Sequence, residues 1–226
     1  MTRPSHVAHD LANVPAAISA TSPDLELIGP IVRLQVQTRS LKRGERPRSW
    51  YDPAAILSLN VVRIDAGGVT GIDDASGDDI GDLHHRDHPA SKHRGENGVS
   101  LGFTSHYSRM RDRFGAHLTD GIAGENIIVE TDQIVGTDDL DHGVVIVTGD
   151  GPVELGSAEI AKPCAEFSKF CAGYAPDQLA DSVITETLQF LYDGTRGFYV
   201  TYEQGGPRQI ELRVGNLVYR RRAPAS

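Results

Sequence analysis

Cys164 and Cys171 are the two thiols of this 226-residue chain, and they stand in different contexts. Cys164 follows Pro163 at the end of an apolar, alternating stretch. Proline cannot donate to a ladder, so this thiol falls at a strand end, where a side chain can reach a ligand. A thiolate there would be both a sulfur nucleophile and a soft metal ligand, and nearby positive charge favours it. Lys162 and Lys169 could supply that charge. Cys171 lacks the Pro-Cys context. On a helix the two would lie about 10.5 Å apart along the axis, too far for a disulfide. A thiol-reducing compartment is the simplest reading. Most free cysteines are buried and inert, so Cys164 needs a second signal.

That signal is Gly124-Glu125-Asn126, ahead of the apolar run Ile127-Ile128-Val129. Asn126 can donate and accept at once, which suits the amide-like edge of a heterocycle, whereas ionised Glu125 can only accept. The same residues also read as an ordinary turn at a strand start. Residues 71 to 98 are rich in Gly, Asp and His with almost no large apolar side chain, which in a compact domain marks a functional or disordered loop. Asp82, His84, His85, Asp87, His88 and His93 lie in it, but their spacing matches no standard zinc pattern, so a solvated rim loop is expected and not a metal centre. Arg94, Arg109, Arg111 and Arg113 precede Gly124, with Arg109 and Arg113 one helical turn apart. Arginine is suited to bidentate phosphate contacts.

Taken in order, Gly67-Gly68-Val69, Gly81-Asp82-Leu83-His84, Gly124-Glu125-Asn126, Pro163-Cys164, Gly197-Phe198-Tyr199-Val200 and Gly215-Asn216 resemble the MOSC domain, the C-terminal domain of molybdenum cofactor sulfurases. That domain also occurs alone and in amidoxime-reducing enzymes. The resemblance covers roughly residues 29 to 220. It implies a mainly β fold, a distorted closed β-barrel of the pyruvate-kinase-barrel-like kind with a few peripheral helices. It implies the molybdopterin form of the molybdenum cofactor, with Cys164 as metal ligand beside the dithiolene sulfurs, or as carrier of persulfide sulfur. Asp82 and His84 would point toward the pocket, Asn126 and Glu125 would contact the cofactor, and Arg94, Lys162 and Arg109 or Arg113 would hold its phosphate. Family members often carry arginine before the Pro-Cys step, where this chain has Ile160-Ala161-Lys162. Three functions follow: an oxidoreductase reducing N-hydroxylated compounds, a sulfur carrier, or a binding module without catalysis. An oxidoreductase would need a small-molecule substrate and a separate electron-donor protein. Pyridoxal phosphate chemistry belongs to another domain of the full-length sulfurases and is not expected here.

The elements that must position these residues are short. Ile31 to Gln37 alternates as a strand with Leu34 and Val36 inward, and residues 1 to 28 read as a mobile tail. Leu57 to Ile64 reads as a second strand, and Val99 to Phe103 as another. Thr104 is positioned to cap a helix over Ser105 to Phe114 that stops at Gly115. Ile127–Val129, Val144–Val147, Val153–Leu155 and Ala158–Ile160 read as short strands between Gly and Asp turns, the spacing of a barrel. A helix is expected from Ala165 and a longer one within Asp177 to Tyr192. Phe198 to Tyr202 and Ile210 to Val214 suggest a hairpin across Gly205-Gly206, Leu217 to Tyr219 a last strand, and the final residues, 221 to 226, a frayed tail.

Acidic residues outnumber basic ones 31 to 22, a formal charge of −9 that repels nucleic acid and anionic membranes. Met1 to Ala20 holds no long apolar run, so neither a signal peptide nor a membrane helix is read there, and a cytoplasmic protein is expected. Neither a Gly-x-Ser-x-Gly elbow nor a phosphate-cradling Gly-x-x-x-x-Gly-Lys step occurs.

Overall fold

The computed structural model describes residues 24–92, 98–156, 158–202 and 209–223. In chain order the elements are β1 (Leu25–Gln37), β2 (Lys42–Arg43), β3 (Trp50–Tyr51), β4 (Ile56–Leu59), β5 (Val61–Asp65), β6 (Gly68–Ile72), β7 (Asp79–Gly81), β8 (Val99–Phe103), α1 (Thr104–Phe114), β9 (Ile127–Val129), β10 (Val144–Thr148), β11 (Gly151–Leu155), β12 (Glu159–Ile160), α2 (Ala165–Cys171), α3 (Ser182–Tyr192), β13 (Phe198–Val200), β14 (Ile210–Arg213) and β15 (Leu217–Arg221). The fold is mainly β, a distorted barrel with three α-helices among the described residues.

β1 organises it. A β-carbon on Gly29 would lie 1.8 Å from the carbonyl oxygen of Glu130, so only glycine permits this approach of two backbones. The register with β15 shifts between Leu27 and Gly29, and such an irregularity bends a strand. The first half of β1 therefore pairs with β15, and the second half with β9 and β4. The large sheet runs β11-β10-β15-β1-β9-β8-β13-β12 with β4 on β1, and β14-β5-β6-β7 forms a second sheet. Leu34, Ile64, Leu101, Phe103, Ile127, Ile146, Phe198 and Leu212 fill the space between, each completely buried. At roughly 1.5–3 kcal/mol per large apolar side chain, this cluster is the main stabilising term. A second apolar cluster, with Tyr107, Met110, Leu118, Phe167, Cys171 and Leu191, seats the helices on the outside.

Several local expectations change. β1 starts at Leu25, with Ile28 in the core, because Leu25 to Leu27 find partners in Tyr219 to Arg221. For the same reason Arg220 and Arg221 belong to a strand, not to a frayed end, and pair with Glu26 and Asp139, and with Asp24 and Glu154. Leu57 to Ile64 breaks at Asn60 into β4 and β5, which join different sheets. The hairpin expected across Gly205-Gly206 does not form between β13 and β14: β13 pairs with β8 and β12, and β14 with β5. Gly205 and Gly206 themselves lie outside the described residues. Thr104 does not cap α1; its hydroxyl donates to the carbonyl of Thr131 and accepts from the Thr131 amide. The second long helix starts at Ser182, where the Asp181 carboxylate accepts from the amides of Val183 and Ile184. Among the described residues no helix is long and apolar enough to cross a membrane.

Candidate functional site

β8 and β9 are parallel, joined through α1 and residues 115 to 126. Parallel pairing sets their starts side by side, so Ser100 and Asn126 meet. β1 is antiparallel to β9 and brings Gln35 and Gln37 to the same end. β13 is antiparallel to β8 and sets Tyr199 opposite Ser100. β12 follows β13, the Ala161 amide donates to the carbonyl of Gly197, and the chain then runs through Lys162 to Cys164.

The segments enclose a cleft of about 380 Å³, within the usual range for small-molecule sites. Cys164 lines it, together with His84 and His88 from the loop after β7. So do five cations: Arg39, Lys42, Lys92, Lys162 and Arg196. Among the described residues no Asp or Glu lines it. Just outside the lining stand Asp52, 3.7 Å from Arg39, and Glu166, 3.8 Å from Lys42 and beside Cys164. On a chain of net charge −9 this is a local reversal of field, the arrangement an anionic ligand needs.

Behind the wall lies a saturated polar network. Asp82 is completely buried, and each of its oxygens accepts twice. Oδ1 accepts from the His84 amide at 2.8 Å and from His84 Nδ1 at 3.0 Å. Oδ2 accepts from the Gln37 amide at 2.7 Å and from Asn126 Nδ2 at 3.1 Å. Asn126 Nδ2 also donates to the carbonyl of Gln35, and Oδ1 accepts from the amide and hydroxyl of Ser100. With both donors and its acceptor oxygen engaged inside the protein, Asn126 ties β1, β8 and the loop after β7 together. Neither Asn126 nor Glu125 lines the cleft.

Glu125 is buried next to Gly124, where a φ of +94° and a β-carbon that would lie 2.7 Å from Gln37 Nε2 both favour glycine. The Tyr107 hydroxyl donates to Glu125 Oε2 and accepts from the Ala123 amide, while Oε1 has no hydrogen-bond partner among the described residues. Burial raises the Glu125 carboxyl above its ordinary value, against the pull of the Arg196 guanidinium and the Tyr107 hydroxyl. Arg196 donates to the carbonyl of Ala123. Burial opposes its charge, but Tyr199, Glu125, Tyr51 and Cys164 around it leave its protonated form more favoured than usual.

Cys164 is partly exposed and immediately precedes α2. Beside it Glu166 is buried, and although burial opposes its charge, hydrogen bonds from its own amide and the Ser49 hydroxyl hold it below the usual carboxylate range, with Lys42 and the Cys164 thiol adding to the effect. Lys169 does not serve Cys164: it is buried and donates to the carbonyls of Pro47 and Ser49, anchoring the segment that carries Glu166's partner.

Of the residues singled out by sequence, Cys164, His84 and Lys162 share the cleft, and Asp82 supports it. Arg109 and Arg113 lie away from it, their guanidinium carbons 5.7 and 4.6 Å from the ring centre of Phe190 on α3. Packing of α1 against α3 claims that helix face. Arg94 and His93 lie outside the described residues. Tyr199 enters from the sequence only inside the Gly197-to-Val200 motif, and the cations Arg39, Lys42, Lys92 and Arg196 not at all. No local pattern marks them, because they meet only when β1, the loop after β7, and β13 assemble.

No protein-family model and no curated protein matches the chain. Among solved structures, YuaD protein from Bacillus subtilis is similar at 15% identity, TM-score 0.48, over 86% of this chain and 94% of that one. YiiM from Geobacillus stearothermophilus is similar at 16% identity, TM-score 0.43, over 86% of this chain and 74% of that one.

Proposed function

We propose that this chain is a MOSC-type protein that holds a molybdenum cofactor in the Cys164 cleft and reduces N-hydroxylated compounds there. One observation carries the reading: three separate sequence motifs, those of His84, Gly124 and Cys164, converge on a cleft with five cations and no carboxylate among the described lining residues. The donor set fits such a group. Cys164 offers a soft ligand for the metal. Lys92, Lys162 and Arg196 offer charge for a phosphate, and Gln37 and Tyr199 offer polar contacts for a heterocycle. When bound, the cofactor supplies two-electron redox chemistry at an open metal position. The protein's own part is to hold the anion, exclude bulk water from one side of the cleft, and present Cys164 and His84 to the same space.

The test is molybdenum content of protein made in a host that synthesises the cofactor. About one molybdenum per chain, lost in Cys164→Ser with the fold retained, supports the reading. Metal-free protein in which Cys164 carries an added mass of about 32 Da, one sulfur on the thiol, favours the sulfur-carrier role instead. Protein with neither leaves a binding module.

A further inference from the structure

We propose that His84 is the proton donor for the reaction in this cleft and that Asp82 is the residue that positions it; the proposal rests on the reductase reading above. Asp82 as a carboxylate can only accept, so a hydrogen bond with His84 Nδ1 at 3.0 Å requires the proton on Nδ1. The His84 amide donates to the same oxygen at 2.8 Å, so backbone and ring are fixed by one atom. Asp82 in turn cannot move: it is completely buried, and its other oxygen is held by the Gln37 amide and Asn126. With Nδ1 committed to Asp82, Nε2 is the ring nitrogen left to meet a ligand; the side chain is 27% accessible, and His84 lines the cleft with Cys164.

Few other groups there could do the same work. Lysine and arginine are poor acids near neutral pH, whereas imidazole changes charge in that range. His88 also lines the cleft, but its Nδ1 accepts from the Ala90 amide and has no carboxylate partner among the described residues. Among the described residues of the cleft, His84 is the imidazole whose direction is fixed by a buried carboxylate.

The chemistry balances as follows. Reduction of a hydroxylamine R–NH–OH breaks the N–O bond and takes up two electrons and two protons, giving R–NH2 and water. The two electrons would be supplied by a bound molybdenum cofactor, with a separate electron-donor protein as the reductant. His84 Nε2–H gives one proton to the departing hydroxyl oxygen, so water leaves and not hydroxide. Solvent supplies the second proton to nitrogen and later restores His84, whose partial exposure allows it.

Two measurements on the full chain test this. On cofactor-free protein, long-range proton–nitrogen correlation spectra should find the neutral His84 ring with its proton on Nδ1, and Asp82→Asn, if folded by circular dichroism, should lose that single tautomer. A proton held on Nε2 in the neutral ring overturns the proposal whatever the cofactor does. On molybdenum-loaded protein reducing an N-hydroxylated base, His84→Gln should lower kcat by roughly 100- to 10,000-fold with KM and molybdenum content unchanged. Unchanged kcat in an active background overturns the proton-donor role and leaves the reductase reading standing. A loaded parent that turns over no N-hydroxylated substrate overturns both.

Discussion

Cys164 and Cys171 bracket one short helix, and although both touch the outer apolar cluster, Cys171 is inside it and Cys164 at its margin beside the cleft. Cys164 opens on a cleft of cations, imidazoles and hydroxyls. Cys171 is 1% exposed among Tyr51, Tyr107, Phe167 and Leu191, and burial pushes its thiol up to about 12. His106 lies in comparable surroundings between Phe103 and Phe198, and burial moves it down to about 4. At these two positions of the helical layer, then, desolvation silences a titratable group, whereas Glu166 on α2 keeps its charge through hydrogen bonds. In the cleft, groups of the same kinds keep solvent and polar partners. The residue type permits chemistry, and the surroundings decide whether it is expressed.

The sharpest way to break this comparison is thiol reactivity. At pH 8 a thiol with a pKa of about 12 is thiolate in roughly one part in 10⁴, so Cys171 should resist iodoacetamide until the protein unfolds. Peptide mapping should place all native-state alkylation on Cys164, and equal labelling of both would erase the distinction. Next comes the charge of the cleft. If the proposed cofactor binds in the cleft, replacing Lys92 and Lys162 together by glutamine would remove two charge-assisted contacts worth about 1.5–3 kcal/mol each. Cofactor retention should fall roughly 100-fold or more, and what remains should depend less on salt. Retention equal to the parent at low and high ionic strength would move the anion site away from this cleft.

The helical layer gives smaller effects, read as stability. A histidine moved from 6.5 to about 4 contributes stability that is present above 6.5 and lost as pH falls toward 4. That contribution is at most about 3 kcal/mol, at 1.36 kcal/mol for each pH unit. Urea midpoints at pH 7 and pH 4 should therefore diverge in the parent and draw together in His106→Phe; the same acid sensitivity in both proteins would deny His106 this role. Cys171→Ser should cost about 1–2 kcal/mol for a buried hydroxyl without a ready partner, while leaving Cys164 labelling unchanged. A shift in Cys164 reactivity would show that the two regions are coupled.

Much of the scaffold was legible because it depends on local pattern. The apolar runs at Ile127–Val129 and Val144–Val147, the helix ending at Gly115 and the helix after Cys164 all stand where period and punctuation put them. Pro163 set Cys164 at an element boundary, and Lys162 entered the cleft with it. The loop after β7 was expected to point both Asp82 and His84 toward the pocket; Asp82 faces inward, and of the two His84 lines the cleft. What could not be read is which segments meet. The pairing of β13 with β8 and of β14 with β5 spans about a hundred residues or more, and adjacency in sequence suggested a hairpin in its place. Asn126 was offered to a ligand, but a bond to Asp82 across 44 residues, with Gln35 and Ser100, engages it in the wall. Arg109 and Arg113 form a pair on one helix face in sequence and structure alike, and tertiary packing turned that face to α3. Spacing fixes the face on which a side chain leaves its own element; the long-range ladders decide what that face meets, and here they alone gathered the cations of Arg39, Lys42, Lys92 and Arg196 around Cys164.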